Sequence, residues 1–98
     1  MGNLNKFQNG KIYKITDNAY TECYVGSTTQ PLCNRMADRR KCYRRYKEGK
    51  RTEFTTVYGM FDKFGVEGCK IELIVESPCE TKEQLRKIEG EYIRKKTV

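Results

Sequence analysis

The residues of this chain that could carry acid–base chemistry are tyrosines, lysines and carboxylates, because the sequence contains no histidine. The lack of histidine excludes a Ser-His or Cys-His nucleophile pair, an HNH-type nuclease and any zinc finger that needs histidine. Proton transfer at neutral pH would therefore depend on Tyr, Lys, Glu or Asp. The informative feature is where the charged residues fall relative to the apolar faces of the predicted helices.

Two arginines fall on the apolar side of a helix predicted to begin near Pro31 and to end before Gly49. At about 100° per residue, Arg35 and Arg39 lie within roughly 60° of Leu32 on the helical wheel. The apolar stripe of this helix consists of Leu32, Met36, Tyr43 and Tyr46.

A glutamate falls inside the apolar stripe of the last predicted helix, which runs from Thr81 to about Lys96. Glu89 lies roughly 40° from Leu85 on the wheel. An unpaired carboxylate on a buried face costs several kcal/mol unless a cation, a metal ion or hydrogen bonds compensate. The stripe consists of Leu85, Ile88, Tyr92 and Ile93.

Three arrangements would accommodate these misplaced charges. Arg35 and Glu89 could form an ion pair between the two helices, or both could remain in water where the apolar stripes end at a cleft. In the third arrangement both line a polar pocket, where the carboxylate holds a cation and the arginine holds an anion. An acidic metal ligand beside an arginine clamp is what phosphodiester hydrolysis requires.

Two tyrosines lie in a predicted hairpin of two strands, residues 11–17 and 23–28. Tyr13 is in the first strand and Tyr24 in the second, and Gly26 follows Tyr24 on the same face. A glycine inside a strand permits close approach of another group, so Gly26 is a structural candidate. Tyrosines in strands are usually packing residues, and the hairpin alone does not distinguish packing from catalysis.

Together these residues resemble the GIY-YIG nuclease family. Lys11-Ile12-Tyr13 stands where that family has its first motif, and Tyr24-Val25-Gly26 is close to its second. Leu32-Cys33-Asn34-Arg35 follows at the distance expected for the family's L-x-x-R helix. Glu89, with Ile93 four residues later, occupies the position of the metal-binding glutamate. The resemblance extends from residue 11 to residue 96.

The resemblance implies an α+β fold in the order β-β-α-α-β-α, with a small three-stranded, mixed but largely antiparallel sheet flanked by helices. It implies a DNA endonuclease with one Mg²⁺ or Mn²⁺ ion held by Glu89, and Arg35 neutralising the scissile phosphate. Tyr13 would be the general base and Tyr24 its hydrogen-bonding partner. A free phenol titrates near pH 10, so a tyrosine base needs positive charge nearby, for which the candidates are Arg39 and the metal-bound water network.

Some positions depart from the family pattern. Lys11 replaces the first glycine of the first motif, and Ser27 stands where the DNA-repair branch has lysine. Arg39 stands where many members have histidine or tyrosine. A guanidinium cannot act as a base, so Arg39 could act as a second phosphate clamp or perturb a tyrosine. The asparagine that often closes the family's domain is not found after Glu89.

A basic segment predicts the surface that would hold DNA. The hydroxyls of Ser27 and Thr28 precede the helix and could hold a further phosphate, whereas a solvated basic helix is the simpler alternative. No second DNA-reading motif is present, so sequence specificity is expected to be low or to come from a fused or separate DNA-recognition domain. The segment's cations are Arg35, Arg39, Arg40, Lys41, Arg44, Arg45, Lys47, Lys50 and Arg51.

The remaining predictions concern the whole chain. Its 98 residues, with a net charge of +7, predict one domain over residues 1–98, with residues 1–9 as a short N-terminal extension and with a polyanionic partner. A second short helix is predicted over residues 55–64 and a third strand over residues 69–76, with Ile71, Leu73 and Val75 on one face.

Five cysteines, without a CxxC pair, and the absence of a signal peptide or a membrane span predict an intracellular protein with reduced thiols and no membrane association. Two other functions remain open. The first is a non-catalytic nucleic-acid-binding module on the same scaffold, in which Arg35 and Glu89 form a structural pair. The second is a basic protein-interaction domain, which would not explain why both tyrosines are present.

Overall fold

A computed structural model, which describes residues 6–49 and 56–95, contains one three-stranded sheet in that part of the chain. Strand β1 (Lys11–Asp17) is central, and β2 (Cys23–Thr28) and β3 (Cys69–Glu76) pair with it on either side, both antiparallel. The expectation of a mixed sheet is therefore wrong. β2 and β3 run in the same direction but lie on opposite edges of β1, so no parallel pairing arises.

A buried aspartate shapes the loop between β1 and β2. Asp17 Oδ1 accepts hydrogen bonds from the backbone N–H groups of Thr21 and Glu22, both at 2.8 Å. Its Oδ2 accepts from the Ala19 N–H at 3.2 Å and from the Thr21 hydroxyl at 2.8 Å. Tyr20 adopts a left-handed conformation with φ of 58°. The aspartate thus satisfies the backbone donors that a tight reversal would otherwise leave unpaired.

The helices are α1 (Leu32–Lys47), α2 (Thr56–Phe64) and α3 (Lys82–Lys95). Gly49 and Gly65, with φ of 80° and 82°, follow the ends of α1 and α2, as is typical of glycine after a helix. The predicted helix ends at residues 55 and 96 lie outside the described residues.

Side chains near the start of α3 supply its N-terminal hydrogen bonds. The Thr81 hydroxyl accepts from the Gln84 N–H at 3.2 Å, and the Gln84 side chain accepts from the Glu80 N–H at 2.8 Å. This differs from a standard capping box, in which the second bond would return to the Thr81 N–H.

The two faces of the sheet carry separate cores. Tyr13 and Ile15 lie in a cluster with Met36 of α1 and the buried residues of α2, whereas Ile12 lies in a second cluster with Leu85 of α3. Because neighbouring residues of a strand point to opposite faces, α1 and α2 cover one face and α3 covers the other. The second cluster also includes Phe7 of a short 3₁₀ helix, Lys6–Asn9.

A register shift in β3 overturns one sequence-based prediction. Tyr13 pairs with Leu73 but Ile12 pairs with Val75, so Ile74 is an extra residue in a β-bulge. Ile71 packs on the α1–α2 side, whereas Val75 packs on the α3 side, and Leu73 is 48% exposed. The three residues therefore do not share one buried face.

Candidate active site

A cleft of about 620 Å³ opens beside the edge strand β2, where residues from both sides of the sheet meet. Arg35 and Arg39 of α1 contribute one wall, and Glu89 of α3 contributes to the other. The end of β2 and the turn into α1 lie between them. The lining residues are Lys6, Phe7, Tyr24, Ser27, Thr28, Thr29, Gln30, Arg35, Arg39, Lys82, Leu85, Arg86 and Glu89.

Tyr13 lies beneath this cleft rather than in it. Its side chain has 0% exposure, and it does not line the cleft. Arg35 Nε and Arg39 Nη2 each donate a hydrogen bond of 3.3 Å to the Tyr13 hydroxyl oxygen. A general base must reach the attacking water, so this geometry does not favour Tyr13 as the base. Its clear contribution is to orient the two guanidinium groups.

Tyr24 is the tyrosine that reaches the cleft. Its half-buried side chain lines the cleft, and its hydroxyl oxygen accepts a hydrogen bond of 3.1 Å from Arg39 Nη2. The Arg39 guanidinium carbon also lies 5.2 Å from the centre of the Tyr24 ring, within cation–π range. In the described part of the chain, no hydrogen bond joins the two tyrosine hydroxyls. The expected Tyr13–Tyr24 contact is replaced by a bridge through Arg39 Nη2.

Arg39 keeps its charge in this position. Burial alone would lower the pKa of the guanidinium, but attraction to and hydrogen bonding with the Tyr13 and Tyr24 hydroxyls outweigh it and raise the pKa above its ordinary value. A cation is thus fixed between two phenolic oxygens. This supports the sequence-based argument that Arg39 is not a proton shuttle.

Gly26 allows the two tyrosines to approach the strand. A Cβ atom at position 26 would lie 2.6 Å from the Tyr13 hydroxyl oxygen and 3.1 Å from Cε1 of Tyr24. Gly26 pairs directly with Tyr13 across the β1–β2 ladder, so the Tyr13 ring lies over its α-carbon. The close approach anticipated at this glycine is made by the protein's own tyrosines.

Glu89 is half-buried and accepts a short hydrogen bond at Oε1 from the Ser27 hydroxyl. Ser27 is therefore a partner of the carboxylate as well as a cleft residue. Among the residues the structure describes, no ion pair joins Arg35 to Glu89, and the Arg35 Nε instead donates to Tyr13. The alternative of a structural Arg35–Glu89 pair is not realised in this arrangement.

The donor set of the cleft fits one hard cation bound through a single carboxylate. Glu89 presents carboxylate oxygens, and the Ser27 and Thr28 hydroxyls lie in the same cleft. Oxygen donors suit Mg²⁺, which retains several water ligands and is often held by one or two carboxylates and substrate phosphates. No cluster of three or more His, Cys, Asp or Glu side chains occurs within residues 6–49 and 56–95, so Glu89 would be the principal protein ligand.

The basic residues of α1 separate into two groups. Arg35 and Arg39 line the cleft, whereas Lys41, Arg44 and Arg45 are exposed and do not. Arg40 is half-buried, and its Nε is buried with no hydrogen-bond partner in the described structure. The predicted DNA-binding set thus extends away from the cleft along the helix. Lys50 and Arg51 lie outside the described residues.

The two hydroxyl residues of the predicted DNA-binding set both line the cleft. The Thr28 hydroxyl oxygen already accepts a hydrogen bond of 3.1 Å from the Gln30 N–H, which shapes the turn into α1. Its hydroxyl proton can still be donated to an anion.

Sequence reasoning missed several cleft residues. Lys82 and Arg86 lie seven and three residues before Glu89 on one side of α3, and Lys6 and Gln30 also line the cleft. Spacings of three, four and seven residues place side chains on one helix face, so Glu89 itself could have indicated Lys82 and Arg86. For Lys6 and Gln30 the sequence holds no comparable signal.

Comparison with known proteins gave no match to a protein-family model, a curated protein or a solved structure. Within the described residues, none of the helices is both long enough and apolar enough to cross a membrane. All five cysteines are thiols.

Proposed function

We propose that this protein is a divalent-metal-dependent DNA endonuclease of the GIY-YIG type. The observation that carries the proposal is that Tyr24, Arg35, Arg39 and Glu89 line one cleft, although Glu89 is distant from the others in sequence. These are four of the five residues that the resemblance assigns to catalysis, and the fifth, Tyr13, holds both arginines from below.

The two arginines would bind the scissile phosphate. Their guanidinium groups are held in fixed positions by hydrogen bonds to the tyrosine hydroxyls, so little reorganisation is needed when negative charge develops in the transition state. Arg35 uses its Nε for Tyr13, which leaves its terminal nitrogens available to phosphate oxygens. Paired N–H donors suit phosphate recognition.

Tyr24 would accept the proton of the attacking water. Its hydroxyl is at the cleft and contacts Arg39, so a phenolate formed there would lie against a guanidinium. We therefore assign the base to Tyr24 rather than to Tyr13. Glu89, oriented by Ser27, would hold the metal ion. Bound Mg²⁺ or Mn²⁺ would supply Lewis-acid stabilisation of the leaving 3′ oxygen.

Cleavage of supercoiled plasmid tests this function. With Mg²⁺ or Mn²⁺ the wild-type protein should convert supercoiled plasmid to nicked circles, and a chelator should stop the reaction. Arg35→Ala should reduce the nicking rate about 100-fold or more because it removes a transition-state phosphate contact. Arg94→Ala, which removes an exposed arginine of α3 outside the cleft, is the matched control and should cleave at close to the wild-type rate. No nicking by the wild-type protein with either ion would contradict the proposal.

One observation also favours a second candidate, a non-catalytic nucleic-acid-binding module. From the described part of the chain, the cleft presents five cationic side chains but only one carboxylate, and that carboxylate already has a hydrogen-bond partner. Such a cleft would bind phosphates without needing a metal ion. The plasmid assay, combined with a binding assay, distinguishes the two functions, because this candidate binds DNA and never cleaves it.

A further inference from the structure

The α3 wall of the cleft carries cations that neither the sequence prediction nor the proposed catalytic steps use. Lys82 and Arg86 lie one turn apart on α3 and line the cleft together with Glu89. Lys6, from the short 3₁₀ helix, lines the same side. Lys82, Arg86 and Lys6 are exposed. We call these three cations the α3 basic wall.

The charges of this wall are not balanced by neighbouring carboxylates. Over residues 6–49 and 56–95, none of the wall's cations forms an ion pair, whereas lysines 14, 47, 63 and 70 each do. Among the described residues, Glu89 is the only acidic one that lines the cleft. Concentrating cations in a concave site raises the local positive potential and attracts an anion.

The opposite wall is also cationic, and this restricts the shape of the anion. Arg35 and Arg39 stand on α1, and the α3 basic wall stands across the cleft, with Glu89 also on its α3 side. The cations of the two walls are more than one scissile phosphate needs. A chain of phosphates would engage them all, because successive groups would meet successive cations. The arrangement suits a polyanion that crosses the cleft.

We propose that the α3 basic wall binds backbone phosphates next to the scissile phosphate, so that the DNA strand crosses the cleft from α1 to α3 rather than only following α1. This inference rests on the proposed function for the identity of the polyanion. Lys82 and Arg86 are separated by about 6 Å along the helix axis. The two cations can therefore contact different phosphates of one strand.

The test is the salt dependence of DNA binding, measured in a chelator so that cleavage cannot occur. A fluorescently labelled duplex is titrated with the wild-type protein and with the double variant Lys82→Ala/Arg86→Ala at several salt concentrations. Each phosphate contact contributes about 0.9 to the slope of log K against log salt. The double variant should therefore bind several-fold more weakly, with a slope smaller by about 1.8.

The matched control is Lys87→Ala/Arg94→Ala, which removes the same charge from exposed positions of α3 that do not line the cleft. Equal slopes for the two double variants would overturn the inference, as would wild-type protein that does not bind the duplex. The plasmid assay tests the nuclease proposal independently of this binding titration. Protein that binds through this wall but never cleaves would refute the nuclease proposal and leave the wall's role intact.

Discussion

At the scale of single residues, Arg39 donates hydrogen bonds from one nitrogen to the hydroxyls of both strand tyrosines. The Tyr13 hydroxyl accepts a second hydrogen bond, from Arg35. Tyr13 and Gly26 face each other across the ladder, and the absence of a side chain at position 26 leaves the space that the Tyr13 ring fills. Gly26 therefore sets the position of Tyr13, and Tyr13 in turn holds the two arginines through hydrogen bonds. This dependence can be tested without any assay of function.

Gly26→Ala should destabilise the protein by about 1–3 kcal/mol, because the new methyl group would overlap the Tyr13 hydroxyl in a packed interior. Gly90→Ala is the control: a Cβ atom there meets nothing closer than 3.8 Å, and alanine is favoured over glycine inside a helix. Chemical denaturation should show opposite signs for the two variants. A Gly26→Ala protein as stable as wild type would show that Tyr13 does not occupy the described position.

The residue-scale features could be predicted only in part. Arg35, Arg39 and Glu89 were detectable because charges on an apolar helix face need an explanation. The choice between Tyr13 and Tyr24 as the general base could not be predicted from the sequence, because it depends on burial by residues distant in sequence. Tyr13 is covered by Gly26 and by two arginines of α1, whereas Tyr24, which pairs with Ile15 two residues further along β1, lines the cleft.

At the scale of elements, the β1–β2 hairpin positions both tyrosines, and its loop depends on Asp17. Both strands begin and end at the predicted residues because their β-branched and aromatic runs are bounded by turn-forming residues. The bulge at Ile74 was not predictable, since the regular alternation of residues 71, 73 and 75 contains no glycine or proline to mark an interruption. The position of the bulge is determined by the pairing of β3 with β1 and by packing on both faces of the sheet.

The loop gives the hairpin a defined pH dependence. Burial raises the pKa of the Asp17 carboxyl, but hydrogen bonds from Glu22 and Thr21 outweigh it, and the pKa lies below its ordinary value of 3.8. A depressed folded-state pKa means that the carboxylate stabilises the fold above about pH 3.8, and that this contribution is lost as pH falls through the folded-state value. Acid unfolding should therefore involve this loop.

Asp17→Asn should lower the melting temperature at neutral pH, because its amide group would point donors at backbone N–H groups. Its melting temperature should also fall less than that of wild type between about pH 6 and about pH 2. Asp38→Asn, which removes an exposed carboxylate of α1, should behave like wild type. Identical pH profiles for Asp17→Asn and wild type would contradict the described loop.

At the scale of the whole molecule, the fold brings helices from opposite faces of a three-stranded sheet together at the open edge of β2. The order of elements was predictable from hydrophobic periodicity and glycine positions. The composition of the cleft was less predictable. Helical spacing places Lys82 and Arg86 on one side of α3 with Glu89, but cations on a helix surface usually only contact solvent. The approach of α3 to the β2 edge is what makes that side a wall of the cleft.

The excess of positive charge also bears on metal binding. A free divalent cation would be repelled by the five cations of the cleft, so Glu89 should hold it well only when DNA phosphates are present to offset that charge. Removing the Glu89 carboxylate therefore separates the two activities, because its loss should abolish cleavage without abolishing DNA binding.

The most direct test of the central claim compares Glu89→Gln with Glu91→Gln in single-turnover plasmid nicking with Mg²⁺. Both changes remove one carboxylate from α3, and glutamine at position 89 can still accept the Ser27 hydrogen bond, whereas Glu91 is exposed and outside the cleft. We expect Glu89→Gln to nick about 100-fold more slowly or worse while still binding DNA, and Glu91→Gln to match the wild type. A Glu89→Gln protein that nicks as fast as wild type would contradict the assignment of Glu89 as the metal ligand.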